Sequence, residues 1–381
     1  MDSAGRTFRT GHQKSTPKSH QPAREYVKKM KPVQLEWRSE SQLASIASRA
    51  ATNTTPWIKE GRQYSPGMIG LHEEVKDCYE WIKPTAAEAR MRQKVIGEVT
   101  QVIKNLYPYV NIQVFGSFRT GLYLSSSDID LVVFGKWPQL PLQTIADACV
   151  QAKLCRFADV KVVDKAFVPL LKLTMLESGA KVDISFNMTN GINNVALIKS
   201  YVETYPSCLP PLFLLLKQFL VYRDLNEVYT GGVSSYALIL MIVSFLQKHQ
   251  RDHSKDGSEP NLGVLLLEFL EFYGRTFNYA QATICLLDGG SYISKKMMQQ
   301  KMTPGHTPGM LSIEDPIQPG HDVCRSCYGA LSMKQAFEYA FVHLQRAVLS
   351  NTKSEKTGML HHILGVHADE VKFREWVNSQ W

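Results

Sequence analysis

The segment Val114 to Phe134 reads VFGSFRTGLYLSSSDIDLVVF, and it decides the fold of this chain. Two short apolar runs flank a Gly-Ser pair and a serine-rich turn, and their β-branched content predicts two buried strands. Because strand side chains alternate between faces, Asp128 and Asp130 share one face while Ile129 and Leu131 point into the core. Two carboxylates about 7 Å apart on one strand repel each other, which predicts a divalent magnesium-type cation between them.

A third carboxylate is expected on a neighbouring strand, and the run 180–187, AKVDISFN, supplies it. The alternating apolar residues of this run form one face and leave Asp183 on the other. Three acids on adjacent strands can hold two ions about 4 Å apart, one activating an attacking oxygen and one stabilising a leaving group. The alternative is that Asp128 only caps the turn and Asp183 is an ordinary surface residue. The combined pattern favours the two-metal site.

Composition and charge limit the class of protein. A chain of 381 residues with 44% hydrophobic content can build two domains and a tail. Residues 1–40 contain nine Lys or Arg and four acids, so they carry +5 of the net charge of +8. This tail suits either a polyanion partner or a solvated disordered arm. The sequence has no apolar stretch of the signal-peptide or membrane-spanning type, which predicts an intracellular protein. Its seven cysteines are scattered along the chain, which predicts reduced thiols.

The chain divides into a mixed first half and a helical second half. Residues 1–55 are polar and basic, and we expect them to be disordered. A helix over 68–82 ends at Pro84, and the capping box from Thr85 to Glu88 begins another that runs to about Leu106, with Met91, Val95, Val99, Val102 and Leu106 on its buried face. A helix over 142–151 and strands over 159–163, 167–173 and 181–186 complete a small mixed sheet with helices on one face.

The second half has helical periodicity throughout. Predicted helices lie at 195–205, 212–223, 236–249, 262–273, 333–348 and 369–381. Polar loops are expected over 251–260 and 350–365. The segment 288–327 is irregular and too long to be an idle connector in a compact domain.

These motifs together resemble a known family. Gly116-Ser117, Asp128-Ile129-Asp130 and Asp183 resemble the DNA polymerase β-like nucleotidyltransferases. In the helical half, LKQF at 216–219, YTGGVSSY at 229–236 and IEDP at 313–316 are similar to the noncanonical poly(A) polymerases, closest to the nuclear type found in TRAMP-like RNA surveillance complexes. The resemblance covers about residues 57–348.

The resemblance implies an α+β architecture, in which a mixed-sheet nucleotidyltransferase catalytic domain is inserted into a mostly helical central, poly(A) polymerase-associated domain. The corresponding boundaries are 1–55 (disordered basic tail), 56–84 (N-terminal helical part of the central domain), 85–192 (catalytic domain), 193–349 (helical central domain with base-recognition loop) and 350–381 (C-terminal extension). The implied activity is template-independent addition of adenylates to RNA 3′ ends, with ATP as substrate and Mg²⁺ or Mn²⁺ at the acids. The implied partners are RNA 3′ ends, a zinc-knuckle RNA-binding protein and an RNA helicase, in the nucleus, with no membrane.

The resemblance also implies which residues bind the nucleotide. Gly116 and Ser117 offer N–H groups and a hydroxyl to the triphosphate, and Lys217 and Ser235 offer a cation and a helix terminus. Tyr236 would stack on the base. The remaining implied positions are Gly191 and Asn194 at the sugar and Asp315, His321 and Arg325 around the base-recognition loop.

Each of these positions has an alternative. Lys217 could snorkel out of a core helix, and Tyr236 could belong to the core. Ser235 and Asn194 could each be no more than the N-cap of a helix.

The chain departs from the family pattern at two places. Several relatives have a second Lys one turn after the first, where this chain has Val221, so Arg223 or Arg119 would have to compensate. Adenylating members usually have Asn where this chain has His321, and His resembles uridylyl-adding relatives; the base choice therefore stays open between ATP and UTP.

His321, Cys324 and Cys327 also suggest a zinc site, for which His361, His362 or His367 would be the further ligand. The alternative is that the two cysteines are ordinary thiols beside the base-recognition loop. A catalytically inactive nucleotide-binding scaffold is the third hypothesis for the whole chain, against which the complete acid trio argues.

Overall fold

A computed structural model describes residues 53–165, 168–248, 259–350 and 358–381. Nearly all of the predicted disordered tail lies outside these residues, as do most of the predicted loop at 251–260 and half of the one at 350–365. Residues 53–54, which the sequence interpretation placed in the tail, form a short strand instead.

The helices and strands alternate in the first half, and helices dominate the second. The helices are α1 (Gly67–Ile82), α2 (Ala86–Leu106), α3 (Gly116–Thr120), α4 (Leu142–Gln151), α5 (Asn190–Thr204), α6 (Leu209–Val221), α7 (Ser235–Lys248), α8 (Leu262–Glu271), α9 (Lys295–Lys301), α10 (Ala330–Leu349) and α11 (Ala368–Gln380). The strands are β1 (Asn53–Thr54), β2 (Asn111–Phe115), β3 (Ile129–Phe134), β4 (Val160–Val163), β5 (Leu170–Thr174), β6 (Lys181–Phe186), β7 (Ala282–Cys285), β8 (Ser291–Ser294) and β9 (Val366–His367). The predicted α+β class is confirmed.

Five strands form one mixed sheet in the order β2-β3-β6-β5-β4. The central pair, β3 and β6, is parallel, and the other neighbours are antiparallel. In the central pair Asp130 lies beside Asp183, and on the other side Asp130 lies beside Phe115 of β2. The register therefore brings the two acid-bearing strands side by side, as the sequence pattern predicted.

The sheet packs against α2 and α4 through one hydrophobic core. Ile129, Leu131 and Ile184 are fully buried there, because alternate strand residues face the helices. On α2 the predicted apolar face is confirmed for Met91, Val95 and Val99, but Leu106 at the last residue is exposed. Ile103 is buried in its place, one turn after Val99, because the chain leaves the core where the helix ends.

A second hydrophobic core joins α1, α6, α7, α8 and α10. Helix α6 begins three residues earlier than predicted, because Pro210 and Pro211 fit its first turn, where no N–H is needed. Helix α8 ends at Glu271 and continues as a wide turn, Phe272–Thr276. The segment predicted to be irregular contains β8 and α9. Among the described residues, no helix combines the length and the apolar character that crossing a membrane requires.

Both ends of the described chain are fixed to helix α1 by one buried carboxylate. Glu74 accepts hydrogen bonds from Trp57 Nε1 (3.1 Å) and from the backbone amides of Met359 (2.5 Å) and Leu360 (3.1 Å). Strand β1 pairs with β9 close by, so the first and last strands meet. Glu74 thus links three parts of the chain that are distant in sequence.

Helix α11 connects the two cores. Its Arg374 forms a buried ion pair with Glu88 of α2 (3.2 Å), and its Val377 belongs to the sheet core. Its Glu370 accepts hydrogen bonds from Gln218 of α6 (3.3 Å) and Ser126 (3.5 Å). The C-terminal segment is therefore a structural part of both cores, whichever domain boundaries are drawn.

Glu74 gives a testable link between stability and pH. Burial raises its pKa from 4.5 to about 7, although its hydrogen bonds act in the opposite direction. The folded protein then keeps a proton that the unfolded chain loses, so this stabilising contribution is complete below about pH 4.5 and is lost as pH rises through 7. In Glu74→Gln that pH dependence disappears. We expect the difference in the free energy of unfolding between the variant and wild type to shift in favour of the variant by up to about 3 kcal/mol between pH 5 and pH 8.

Urea unfolding at several pH values measures this difference, and any offset from the amide itself cancels. A difference that stays constant across the pH range would show that Glu74 is ionised in both states.

Candidate active site

The three predicted acids come from the centre of the sheet. Asp130 and Asp183 are register partners on β3 and β6, and Asp128 stands immediately before β3 at the end of the serine-rich turn. The apolar residues that alternate with the acids, such as Leu131 and Ile184, lie in the core with the helices, so the acids lie on the opposite face of the sheet. The structure therefore places all three on one face of the sheet, near the ends at which the parallel strands β3 and β6 begin.

The Gly-Ser turn lies directly against the second acid. Gly116 has a positive φ of 66°, and a Cβ at this position would come within 2.0 Å of Asp130 Oδ2. Only glycine fits here, for both reasons. Gly116 and Ser117 begin the short helix α3, and Gly116 packs directly against the carboxylate of Asp130.

Negative charge is concentrated at the acids. Burial raises the pKa of Asp130 to about 7, and the charges of Asp183 and Asp128 add to the rise, while Lys217 opposes it. Burial also raises the pKa of Asp183, although that carboxylate accepts a hydrogen bond from Lys172 Nζ at 2.5 Å. These shifts are typical of a site that awaits a positive ligand.

The donor set fits a hard divalent cation. Three carboxylates offer oxygen ligands of the kind that Mg²⁺ and Mn²⁺ prefer, and Asp130 Oδ2 occupies the space that a side chain at position 116 would fill. Within the described residues, however, no three His, Cys, Asp or Glu side chains are already gathered as a metal site. At the acids, Lys172 occupies the carboxylate of Asp183. The three carboxylates thus have the chemistry to hold the ion, once Asp183 is no longer paired with Lys172.

Lys217 is a buried cation that faces the acids. It lies inside the apolar helix α6, and burial lowers its pKa to about 8 while the charge of Asp130 acts in the opposite direction. Its ammonium makes no hydrogen bond or ion pair with another described residue and lies 5.7 Å from the centre of the Phe213 ring. It does not snorkel to solvent, so that alternative is wrong.

The proposed substitute for the missing second lysine is not at the site. Arg223 is buried, donates to Phe219 O at 3.2 Å and stacks on the Phe219 ring at 3.8 Å. Its guanidinium is part of the helical core, so compensation by Arg223 is wrong. Arg119, at the end of α3, is exposed and stays a candidate.

The capping alternatives for two predicted residues fail. Ser234, not Ser235, caps α7, since its Oγ accepts a hydrogen bond from Ala237 N at 3.1 Å. The hydroxyl of Ser235 is therefore exposed and free of the capping role. Asn194 lies inside α5, which begins four residues earlier, so it is not a cap either.

Gly191 lies in the first turn of α5, against the strand that leads to Gly116. A Cβ at this position would come within 2.5 Å of the Phe115 ring. Close packing of helix on strand is thus a structural reason for this glycine, beside the predicted contact with a sugar. Asn194 follows one turn later on the same helix.

A second group of predicted residues is joined by hydrogen bonds. Tyr236 donates to Asp315 Oδ1 at 3.0 Å, and His321 Nδ1 lies 3.5 Å from Asp315 Oδ2. The backbone amide of Asp315 also donates to His321 O at 2.9 Å. His321 remains 52% exposed, so its ring can reach a ligand while Asp315 orients it.

The loop that carries His321 is held from below by Asp322. Its buried carboxylate accepts three backbone hydrogen bonds, from Gly309 (2.8 Å), Ile313 (3.1 Å) and Cys324 (3.0 Å). Arg325 is exposed and contacts His306 at 3.1 Å, apart from the other predicted residues.

The two cysteines after this loop belong to the helical core. Cys324 and Cys327 are buried, and burial raises the pKa of both thiols, that of Cys327 to about 12. The described residues contain no group of three metal-ligating side chains that includes them. The environment favours the buried-thiol interpretation over zinc.

Three residues near the acids were missed from the sequence: Lys172, described above, Arg92 and Glu227. Arg92 on α2 is 1% exposed and donates to the carbonyl oxygens of Ser127 (2.7 Å), Ser125 (3.0 Å), Leu124 (3.3 Å) and Asp128 (3.5 Å). Glu227 precedes α7, and its charge acts on Lys172, Asp183 and Lys217. For Arg92 the sequence did offer a signal, since an Arg stands there among the apolar positions of a helix. The exposed Glu227 gives no such signal.

Two family models match the chain. Residues 71–203 match the model described as "Poly(A) RNA polymerase, mitochondrial-like, central palm domain". Residues 261–321 match the model described as "Cid1 family poly A polymerase".

Curated relatives extend the similarity over most of the chain. Drosophila melanogaster inactive noncanonical poly(A) RNA polymerase protein Trf4-2 is 37% identical over 86% of this chain and 82% of its own. Schizosaccharomyces pombe poly(A) RNA polymerase cid14 is 36% identical over 76% of this chain, and Saccharomyces cerevisiae poly(A) RNA polymerase protein 2 is 35% identical over 75%. The match spans only 42% and 50% of those two proteins.

Solved structures share the fold. The polymerase core of TRAMP, an RNA surveillance complex, superimposes with a TM-score of 0.71 at 31% identity, covering 84% of this chain and 99% of that one. The Cid1 poly(U) polymerase gives 0.61 at 22% identity, covering 72% and 93%, which shows the fold alone.

Removing Arg92 tests its role in holding the acid turn. We expect Arg92→Met to lower the free energy of unfolding by about 3–5 kcal/mol, because four carbonyl oxygens lose a buried donor. The matched control is Arg90→Met, since Arg90 is exposed on the same helix, and its effect should stay within about 1 kcal/mol. Urea unfolding monitored by tryptophan fluorescence measures both. Equal effects of the two substitutions would refute a special role for Arg92.

Proposed function

Because the chain belongs to the noncanonical poly(A) RNA polymerase family, we propose that it adds adenylates to RNA 3′ ends without a template. The observation that carries the proposal is one arrangement: three carboxylates on adjacent strands, a Gly-Ser turn against Asp130, and the buried cation Lys217 facing them. A triphosphate is the ligand that such an arrangement fits, since it needs both anionic metal ligands and a cationic partner.

Each residue has a role in this reaction. Lys217, which has no ion-pair partner among the described residues, binds the triphosphate, and the N–H groups at Gly116 and Ser117 orient it. The exposed hydroxyl of Ser235 adds a further phosphate contact. Asp183 accepts the proton of the RNA 3′-hydroxyl, whose oxygen then attacks the α-phosphate in line, so that pyrophosphate leaves.

Divalent ions held by Asp128, Asp130 and Asp183, Mg²⁺ or Mn²⁺, would neutralise the charge that develops on the phosphates. The mutual repulsion of the three carboxylates supports this assignment, because it is relieved when cations bind.

The base would lie between Tyr236 and the loop of His321. The hydrogen bond from Tyr236 to Asp315 orients the half-buried ring, which would stack on the base. Gly191 and Asn194 contact the sugar, and Arg325 lies at the rim of this region. The adenylate preference follows the family, and His321 is the residue that decides how strong it is.

The proposed setting is nuclear RNA surveillance and decay. The similarity to the TRAMP polymerase core supports RNA as substrate and, as partners, a zinc-knuckle RNA-binding protein and an RNA helicase. The basic residues 1–40 are suited to nucleic acid. Activity in the cytoplasm is compatible with the same chemistry.

Two observations favour other functions. His321 stands where adenylating relatives usually have Asn, and it favours a terminal uridylyltransferase. One relative is named inactive, which favours a nucleotide-binding scaffold. The complete set of three acids supports an active enzyme over the scaffold.

Primer extension on a short single-stranded RNA separates these functions. With Mg²⁺ or Mn²⁺ and each NTP alone, we expect extension with ATP, and we expect Asp128→Asn/Asp130→Asn to reduce it by about a thousandfold or more, because charge neutralisation at the phosphates is lost. The control is Asp147→Asn, an exposed carboxylate on α4, which should leave the rate unchanged.

Preference for UTP would change the assignment to a uridylyltransferase. Absence of extension with every NTP, even after a zinc-knuckle RNA-binding protein is added, would support the scaffold instead.

The base preference has its own test. We expect His321→Asn to raise the ratio of kcat/KM for ATP over that for UTP by about fivefold to tenfold, because an amide presents a fixed donor and acceptor where imidazole offers one or the other. His343→Asn, on the distant helix α10, is the control for a general effect of losing a histidine. An unchanged ratio in His321→Asn would mean that the base is selected elsewhere.

A further inference from the structure

Lys172 is a residue of the acid site that the polymerase reaction does not use. It stands on β5 as the register partner of Asp183 on the antiparallel neighbour β6, and its ammonium lies 2.5 Å from Asp183 Oδ2. This is the one charge-neutralising contact that the structure gives any of the three carboxylates among the described residues. Lys172 therefore has the position that a metal ion would take at the third acid.

The two partners differ in how freely they can move. The side chain of Asp183 is 14% exposed and stands in a strand with hydrogen-bonded neighbours on both sides, so it stays at the site. The side chain of Lys172 is 42% exposed, and its four-carbon stem can swing into solvent without any change in the backbone. If the ion pair breaks, Lys172 is the partner that leaves.

We propose that Lys172 is a displaceable counter-ion for Asp183, which competes with the divalent cation for the third carboxylate. The inference rests on the proposed role of the three acids as the metal site. Without metal, the ion pair offsets part of the repulsion among Asp128, Asp130 and Asp183. With metal, Lys172 is displaced, and the energy of the lost ion pair lowers the affinity for the ion.

The outcome of this competition depends on how many carboxylates each cation contacts. Lys172, on the neighbouring strand β5, contacts Asp183 alone among the three acids. A cation that also binds Asp128 and Asp130 has three anionic ligands to gain, and the lysine has one. The metal ion therefore displaces Lys172 at sufficient concentration, and the ion pair with Lys172 lowers the affinity of the site for the ion.

The sheet provides a matched control for a test. Lys161 on β4 is the register partner of Lys172, so it lies on the same face of the sheet, one strand further from Asp183. It is exposed and makes no ion pair with another described residue. Lys172→Met and Lys161→Met therefore remove the same charge from neighbouring places, but only the first removes the contact with Asp183.

The experiment is direct binding of Mn²⁺ to the full chain, followed by the electron paramagnetic resonance signal of the free ion, with no nucleotide or RNA present. We expect Lys172→Met to bind Mn²⁺ about five- to tenfold more tightly than wild type, as expected for a half-exposed ion pair. Lys161→Met should differ from wild type by less than about twofold. In an Asp183→Asn background, Lys172→Met should no longer change the affinity.

Thermal unfolding gives a second measurement that does not depend on a binding signal. Lys172→Met should have a lower Tm than Lys161→Met in the presence of a chelator, because Asp183 loses its counter-ion, and Mn²⁺ should restore it.

Equal Mn²⁺ affinities of the two lysine variants, or an effect of Lys172→Met that persists without Asp183, would overturn the proposal. If no variant binds Mn²⁺, this inference is refuted, and primer extension alone then decides whether the chain is a polymerase. Because the assay contains no RNA, a chain that binds the ion as expected but extends no primer would uphold this inference while refuting the polymerase.

Discussion

Repulsion among three carboxylates on one face of a sheet is the constraint on which the rest of the site depends. Asp130 is flanked by Asp128 before it and Asp183 beside it, in surroundings that disfavour charge. Two lysines lie where their positive charge offsets this repulsion. Lys217 faces Asp130 from the helical core, and Lys172 contacts Asp183 from the next strand. The two cations of the site therefore differ in mobility. Lys217 is fixed by burial, whereas the half-exposed side chain of Lys172 can move into solvent.

The fixed cation depends on contacts far from the acids. Lys217 keeps its place only if α6 keeps its position against the sheet, and α11 links these two parts. Glu370 of α11 is bonded to Gln218, the neighbour of Lys217, and to Ser126, two residues before Asp128. Arg374 then ties the same helix to Glu88 on α2, the helix that also carries Arg92. One C-terminal helix is therefore bonded both to the helix that carries Lys217 and to the turn that carries Asp128.

The sequence predicted the parts of the fold and site that depend on local pattern. Alternation placed Asp130 and Asp183 on strands and Asp128 directly before the first of them, and the capping box at Thr85 located the start of α2. It could not predict contacts between segments distant in the chain. Nothing near residue 172 indicates that its partner is Asp183, because the register of β5 and β6 decides it. The error at Arg223 has the same origin, since spacing within a helix does not say which face meets the acids.

The ion pair between Lys172 and Asp183 also bears on whether an intact acid trio is enough to infer an active enzyme. A sequence comparison counts three carboxylates and stops there. The structure adds that one of them is paired with a lysine, and under our proposal the availability of the site depends on competition between this lysine and the metal ion. Two relatives with identical acids could differ in activity at a given metal concentration if the residue at this strand position differs. The electrostatic balance around the acids, more than their presence, is then what separates an active polymerase from a chain that only keeps its fold.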